Sequence, residues 1–337
     1  MHLKKIMGLL LLLPTLVIAQ QVKIPAGWSD GYAYANGIRI HYYRAVHQPE
    51  KPVMVMVHGV TDNGLCWTTL ALKLQDKYDI YMLDTRGHGL TDPFTAGDNG
   101  ETLIKDVVEF VKVMKFDKPI LMGHSMGAAT VMRVGAEYPE VGRAIIMLDP
   151  MVGSRPRGPA TATRAVPNRT PGAQASPQPQ TQPRPQTPPQ SQPASQPGTT
   201  NNRLSVSMFG NPETLVAQNN YSFEDLVATG RRQNPLWDKM DVEYWALSKK
   251  QYHGPYTTEA SQAMSGTMNI GSSLSKIQVP AIILKADASA EVRKRNDEAA
   301  AVMPKGKLVH IDGAAHNLHH DKLERTTEVL KEFLSTL

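Results

Sequence analysis

Cysteine is almost absent from this chain: Cys66 is the only one among its 337 residues. A single thiol forms no internal disulfide, so a framework of covalent cross-links is excluded even in an oxidising compartment. Cys66 lies in a segment with helical character. We interpret it as a small buried hydrophobic residue and not as a reactive thiol.

Acidic residues are absent from residues 154–203, which carry six arginines. Subtracting these six arginines and the two lysines of the N-terminus, Lys4 and Lys5, from the net charge of +5 leaves −3 for the remainder. The segment also has no aromatic side chain to stack on bases, so a nucleic-acid partner is not expected. Its arginines leave open a weak contact with anionic surface polymers.

Large apolar residues are scarce in the same part of the chain. Residues 154–202 hold twelve of the 25 prolines, together with many glutamines, serines and threonines. Such a composition buries too little surface to offset the entropy of the chain, and it predicts a disordered insertion.

The apolar run at the N-terminus is too short to span a membrane comfortably. Residues 1–20 begin with a basic pair, continue with apolar residues through Ile18, and end with Ala19 before a polar residue. This pattern predicts a secretory signal peptide and therefore export to the periplasm or the extracellular medium. An uncleaved membrane anchor is the alternative. No cysteine stands at the expected cleavage point, so neither a lipid anchor nor stable membrane insertion after processing is expected.

Glycine loops that cradle phosphates or bind dinucleotides are also missing. Asp312, His316, His319 and His320 are close in sequence, but their placement on a turn and a helix does not favour a metal site. We therefore expect no cofactor and no metal.

The chain does have a series of continuous apolar runs that alternate with helical patterns. Runs without polar alternation are typical of parallel strands covered on both faces, as in βαβ units. The expected strands are 53–57, 79–83, 119–122, 144–148, 280–284 and 307–311, and the expected helices lie near 64–76, 101–115, 126–138 and 321–336. The sequence thus predicts an α/β fold, with a mostly parallel sheet flanked by helices.

The same patterns predict a core in two parts. Residues 21–153 form the first part and residues 276–337 the second, after the signal peptide of residues 1–20. The disordered insertion of residues 154–202 comes between them. Residues 203–275 follow it, and their aromatic and helical character predicts a helical cap inserted after the strand 144–148.

The pentapeptide Gly123-His124-Ser125-Met126-Gly127 stands between an expected strand and an expected helix. A G-x-S-x-G sequence in that context describes a sharp turn that lifts a serine hydroxyl above the edge of the sheet. Both glycines are needed, because a side chain would clash with the neighbouring strand and helix. Ser125 is therefore the candidate nucleophile.

His316 follows the last expected strand in a turn of small residues. Its imidazole is placed to take the proton of Ser125 and to return it to a leaving group. Backbone N–H groups of Val60 and Met126 are the candidates for an oxyanion hole. His58 and His124 are expected to shape their turns by hydrogen bonding.

Several motifs together resemble the α/β-hydrolase superfamily, over roughly residues 30–150 and 276–337. They are His58-Gly59, the stretch Asp84–Asp92, the serine pentapeptide and Gly313-Ala314-Ala315-His316. The stretch from His58 to Gly64 resembles a bacterial, uncharacterised branch of serine hydrolases. The resemblance implies a catalytic triad of serine, histidine and an acid.

The acid is where the sequence departs from the usual pattern of this superfamily, which places it after the penultimate strand. In this chain Ser289 stands at the usual position of the acid, and Asp287 lies nearer the end of the strand. Asp149 directly follows the strand after the serine helix, a placement that resembles a branch including some haloalkane dehalogenases. We favour Asp149 on this spacing and keep Asp287 as the alternative. The aspartate that is not the acid is expected to bond the histidine loop.

A serine at this turn, where related dehalogenases and epoxide hydrolases carry aspartate, favours acyl transfer through a tetrahedral oxyanion. The expected activity is that of an exported, cofactor-independent serine hydrolase. Its expected substrates are carboxylic esters of small or medium size, cleaved through an acyl-enzyme. A lactonase, a carbon–carbon bond hydrolase, a cofactor-free haloperoxidase and a non-catalytic binding module remain alternatives.

Overall fold

A computed structural model describes residues 23–152, 220–254, 258–268 and 270–337. The expected signal peptide, residues 1–20, and the expected disordered insertion, residues 154–202, lie outside the described residues, as does the beginning of the expected cap. All described residues belong to one compact unit.

The described chain is organised around an eight-stranded sheet with the order β1-β2-β4-β3-β5-β6-β7-β8. The strands β3 to β8 run parallel, whereas β1 and β2 pair antiparallel with each other and β2 pairs antiparallel with β4. The strands are β1 (Ser29–Ala35), β2 (Ile38–Arg44), β3 (Val53–Val57), β4 (Asp79–Leu83), β5 (Ile120–His124), β6 (Ala144–Leu148), β7 (Ala281–Lys285) and β8 (Gly306–His310). The predicted α/β fold with a mostly parallel sheet is confirmed.

Helices cover both faces of this sheet. The described helices are a 3₁₀ helix (Gly64–Trp67), α1 (Thr68–Leu74), α2 (Thr102–Val113), α3 (Met126–Glu137), α4 (Phe223–Gln233), α5 (Lys239–Gln251), α6 (Thr258–Thr267), α7 (Ser273–Lys276), α8 (Ala290–Ala300), α9 (Leu318–Asp321) and α10 (Leu323–Leu334).

The continuous apolar runs are explained by two separate cores, one on each face. Successive side chains of a strand point to opposite faces. In β3, Met54 and Met56 therefore pack into the core on one face, with Trp67 and Leu330. The alternate residues of β3 pack into the core on the other face, with Phe110. A strand covered on both sides has no position left for a polar residue.

The helices α4 to α7 lie between β6 and β7 in sequence, where the sequence predicts helical character. The side chain of Asp238 accepts a hydrogen bond from the Met240 N–H group and so caps the N-terminus of α5. This helix carries two residues of the candidate site. The domain boundaries, and the assignment of residues 203–275 as a cap, stay predictions.

Several elements differ from their predicted extents by one or two residues, and two of them lie next to the candidate site. The strand expected to end at Met122 continues to His124, because Gly123 and His124 still pair with β6. The helix expected over residues 321–336 begins at Leu323 and ends at Leu334 (α10). The short helix α9 precedes it, and Lys322, with a non-helical backbone (φ −140°, ψ 54°), separates the two. The apolar side predicted for the last helix is nevertheless buried, including Phe333.

The carboxyl ends of β3, β5, β6 and β7 meet at the same edge of the sheet, because these strands are parallel neighbours. Loops at this edge of an α/β sheet collect functional groups. The candidate site is found there.

Candidate active site

Ser125 stands at a sharp turn between β5 and α3. Its φ is 52° and its ψ is −113°, a conformation that residues with a side chain rarely adopt. A Cβ atom on Gly123 would lie 2.1 Å from the carbonyl oxygen of Gly127, and one on Gly127 would lie 2.0 Å from the carbonyl oxygen of Val57. Only glycine fits at both positions, and the turn holds the Ser125 hydroxyl at the edge of the sheet.

The side chains of Ser125, His316 and Asp149 form a continuous hydrogen-bonded row. His316 Nδ1 lies 2.6 Å from Asp149 Oδ2, and His316 Nε2 lies 2.9 Å from Ser125 Oγ. A carboxylate accepts, so Nδ1 carries the proton and donates it to Asp149. The unprotonated Nε2 therefore accepts from the Ser125 hydroxyl, which is the arrangement that a general base requires.

Asp149 directly follows β6 and is largely buried. Burial opposes its ionisation, but the hydrogen bond from His316 and the charge of Lys285 outweigh burial and lower the pKa of Asp149 to about 2. Lys285 Nζ lies 2.6 Å from Asp149 Oδ1, and the N–H group of Ala286 donates to the same oxygen over 3.1 Å. Asp149 is therefore held as a carboxylate facing His316.

Asp287 contacts the loop that carries His316 and not the imidazole. Its carboxylate accepts from Arg293 Nη2 over 2.5 Å and from the Gly313 N–H group over 2.8 Å. Its own N–H group donates to the carbonyl oxygen of Ala314 over 2.9 Å. The hydrogen bonds from Arg293 and Gly313 lower the pKa of Asp287 to about 2. The structure thus brings Asp149 to His316 and leaves Asp287 on the backbone of the loop.

The two backbone groups expected to form an oxyanion hole flank Ser125. Met126 is the first residue of α3, so its N–H group has no acceptor within the helix. The loop with Val60 passes close to the serine, since a Cβ atom on Gly59 would lie 3.1 Å from Ser125 Cβ. Val60 itself lines the cavity in front of Ser125.

His58 and His124 are buried and bonded to backbone groups, as expected of residues that shape turns. His58 Nε2 accepts from the Thr85 N–H group over 3.0 Å, so its Nδ1–H donates to the carbonyl oxygen of Gly59 over 2.7 Å. His124 Nε2–H donates to the carbonyl oxygen of His316 over 2.9 Å. Burial, and secondarily the neighbouring His316, lower the pKa of His124 to about 4. A neutral His124 therefore supports the backbone that carries His316.

A cavity of about 390 Å³ opens onto Ser125 and His316. This volume suits a small or medium-sized ligand. Its wall is mostly apolar, with Val60, Ala129, Met151, Trp245, Met268 and Ile270, and its polar groups include Thr61, Asp62, Lys249 and Asn317. Trp245 and Lys249 come from α5, so the segment between β6 and β7 contributes directly to the site.

Three charged residues of the site were not predicted from the sequence: Lys285, Asp62 and Lys249. Lys285 ends an apolar strand two residues before the candidate acid Asp287. A charged residue at the end of an apolar strand was the signal that could have pointed to it. Lys249 Nζ lies 3.2 Å from Asp62 Oδ1 although the residues are 187 positions apart in the chain. A contact over that distance leaves no local pattern in the sequence.

Three further observations concern the described part of the chain. No group of three or more histidine, cysteine, aspartate or glutamate side chains is arranged there to hold a metal ion. None of its helices has the length and apolar character needed to cross a membrane. Cys66 is buried in the 3₁₀ helix, and burial raises the pKa of its thiol well above the usual value, so the thiol stays protonated.

A nucleophile turn between a central strand and a helix, on a mostly parallel sheet, is the arrangement of α/β hydrolases. The alpha/beta hydrolase family matches residues 54–331, and the chain belongs to that family. The resemblance to this family predicted from the motifs is thereby confirmed.

Two relatives illustrate the similarity in sequence. One is 2-(acetamidomethylene)succinate hydrolase of Mesorhizobium japonicum, 31% identical over 98 residues, which are 29% of this chain and 35% of that protein. The other is N-formylmaleamate deformylase of Pseudomonas putida, 32% identical over 144 residues, which are 42% of this chain and 51% of that protein. The chain thus spans between about a third and a half of the length of these relatives.

Solved structures agree in fold over most of the chain. N-formylmaleamic acid deformylase of Pseudomonas putida has a TM-score of 0.61 at 18% identity, over 90% of this chain and 100% of that chain. E-2-(acetamidomethylene)succinate hydrolase has a TM-score of 0.61 at 17% identity, over 91% and 99%. A carboxylesterase of Bacillus subtilis has a TM-score of 0.58 at 12% identity, over 92% of each chain.

Proposed function

We propose that this protein is a serine hydrolase that cleaves carboxylic esters of small or medium size through an acyl-enzyme. One observation carries the proposal. Ser125 Oγ, His316 and Asp149 are linked by contacts of 2.9 and 2.6 Å at the mouth of a cavity. This is the order of nucleophile, base and acid that acyl transfer requires.

The proposed reaction uses each group in turn. Ser125 Oγ attacks the carbonyl carbon while His316 Nε2 takes its proton, and Asp149 stabilises the resulting imidazolium. The N–H groups of Val60 and Met126 donate to the oxyanion. The tetrahedral intermediate collapses, His316 returns the proton to the leaving alcohol, and an acyl-serine remains. A water molecule, deprotonated by His316, then releases the acid and restores Ser125.

The cavity supports the proposed substrate class. Its volume of about 390 Å³ and its apolar wall favour an uncharged acyl or alcohol group of a few carbon atoms. The names of the relatives favour a second class, compounds with an N-formyl or N-acetyl group, because the same row of groups attacks an amide carbonyl. Export, proposed from residues 1–20, is consistent with either class.

The proposal is tested first by covalent labelling of Ser125 and then by measuring the hydrolysis of esters. A fluorophosphonate probe should label the wild-type protein and fail to label Ser125→Ala. A series of p-nitrophenyl esters of increasing acyl length should show highest kcat/KM for short or medium chains. N-formyl and N-acetyl compounds and lactones are measured beside them. Folded wild-type protein that neither reacts with the probe nor hydrolyses any of these compounds would disprove the proposal.

A further inference from the structure

The loop that carries Val60 is held by one residue of α5, Lys249, which also lines the cavity in front of Ser125. Lys249 Nζ donates to the carbonyl oxygen of Thr61 over 2.9 Å and to Thr61 Oγ1 over 2.7 Å. The same ammonium lies 3.2 Å from Asp62 Oδ1. The side chain of Lys249 is 8% exposed, so these contacts are made out of bulk water.

Thr61 needs such support because its backbone is strained. Its φ is 67°, in the left-handed region that a β-branched residue rarely enters. A strained backbone persists only where its surroundings hold it. The Asp62 N–H group also closes a turn onto the carbonyl oxygen of Gly59, over 3.3 Å. Val60 and Thr61 are the two central residues of this turn, so a change in the backbone of Thr61 would alter the turn that carries the Val60 N–H group.

The charges of the contact are matched. Burial opposes ionisation of Asp62, but the charge of Lys249 outweighs it and lowers the pKa of Asp62, so the pair is ionic. A second bond joins the same helix to the same loop, from Asn63 Nδ2 to Gln251 Oε1 over 2.9 Å. Trp245, one turn earlier in α5, places its ring 5.2 Å from the Lys249 ammonium.

We propose that Lys249 is a positioning residue for the oxyanion hole, which holds the strained turn at Thr61 so that the Val60 N–H group faces the developing negative charge. The inference rests on the proposed serine hydrolase activity. The bond from Val60 to the oxyanion forms only as the carbonyl becomes tetrahedral. A displaced Val60 therefore weakens binding of the transition state more than binding of the substrate.

The test is the effect of Lys249→Met on the separate constants for the best p-nitrophenyl ester. We expect kcat to fall by about 10- to 100-fold, at or below the roughly 100- to 1000-fold loss for removing one oxyanion donor, because the Val60 donor is displaced and not removed. KM should change less than about threefold. A boronic acid that mimics the tetrahedral intermediate should lose affinity by a similar factor. Lys250→Met is the matched control, because Lys250 is the exposed neighbour on the same helix.

A double-mutant cycle separates this role from general destabilisation. Glycine adopts a positive φ without strain, so the kcat lost through Lys249→Met should be smaller in a Thr61→Gly background. Thermal unfolding checks that each variant is folded. If Lys249→Met does not fold, Lys249→Gln is measured in its place, because it keeps a buried polar donor. The same loss of kcat is expected for it.

The outcomes distinguish this inference from the function on which it rests. Wild-type protein without Ser125 labelling or ester hydrolysis would disprove the function itself. If wild-type protein is active, three results would overturn the positioning role alone. They are an unchanged kcat in the folded variant, a rise in KM at constant kcat, and strictly additive losses in the cycle.

Discussion

The acid of the proposed triad is fixed by contacts on both of its carboxylate oxygens. His316 binds one oxygen of Asp149, and Lys285 and the Ala286 N–H group bind the other. The backbone of Asp149 has a φ of 45°, so the residue is held in an unusual conformation directly after β6. This combination leaves the carboxylate little freedom to turn away from the imidazole.

Replacing each candidate acid should therefore have very different effects on turnover. The amide of Asp149→Asn can donate to His316 Nδ1, which favours the tautomer whose Nε2 is protonated and cannot act as a base. We expect kcat to fall by roughly 10³- to 10⁴-fold, as for the corresponding change in serine proteases. Asp287→Asn leaves the contact between Asp149 and His316 in place, so it should lower kcat by at most about tenfold. Steady-state kinetics on one ester decide the matter, and a larger loss in Asp287→Asn would refute the assignment.

At the scale of residues, the sequence predicted those members of the site that stand in a short local motif. Ser125 and its glycines form one pentapeptide, and His316 follows a strand in a turn of small residues. The choice between Asp149 and Asp287 depended on spacing alone. The contact between Lys249 and the loop at Thr61 could not be predicted, because it joins residues 188 positions apart.

The unit formed by β5, the serine turn and α3 depends on close approach of backbones. Helix α3 can pack this tightly on the sheet only because Gly127 has no side chain, since the nearest obstacle to a Cβ atom is the backbone oxygen of Val57. A flexible side chain would move aside, whereas a carbonyl group of a central strand has no alternative position.

A single methyl group at this contact should destabilise the whole fold. We expect Gly127→Ala to lower the free energy of unfolding by about 3 kcal/mol or more, because overpacking against backbone is not relieved by rotamer changes. Gly97→Ala is the matched control, since a Cβ atom there meets nothing within 4 Å. Urea unfolding gives both values, and equal midpoints for the two variants would contradict this packing argument.

At the scale of elements, prediction succeeded where one physical cause dominates. Parallel strands buried on both faces appear as continuous apolar runs, and β3, β4 and β6 have the predicted limits. Strands β1 and β2 were not predicted, because in both of them polar or exposed residues interrupt the apolar ones. The short helix α9, which Lys322 separates from α10, was not predicted either.

The molecule as a whole encloses several neutral histidines. Burial lowers the pKa of His58, His88 and His319, and it lowers that of His124 to about 4. Neither ring nitrogen of His319 has a hydrogen-bond partner, although its ring stacks on Trp67 at 4.9 Å. Each of these groups takes up a proton more readily in the unfolded chain, where the histidine pKa is about 6.5.

Stability should therefore fall as the solution becomes acidic, in two ranges of pH. Between about pH 6.5 and pH 4 the unfolded state binds more protons at these histidines, so the free energy of unfolding decreases as the pH falls. Asp149 acts at lower pH, because its folded pKa of about 2 lies below the unfolded value of about 3.9, and its stabilising contribution is lost as the pH falls through that interval.

The unpartnered imidazole of His319 offers the sharpest test of this origin. His319→Phe keeps the stacking on Trp67 and removes buried polar atoms without partners, so it should raise the free energy of unfolding at pH 7 by roughly 1–3 kcal/mol. It should also make the decrease between pH 6.5 and pH 4 shallower, because one group that protonates only on unfolding has gone. Urea unfolding at intervals across this range measures both effects, with His253→Gln as the control for loss of an exposed histidine. An unchanged slope in His319→Phe would show that His319 does not contribute to the acid sensitivity, because its removal leaves the difference in bound protons between the two states as it was.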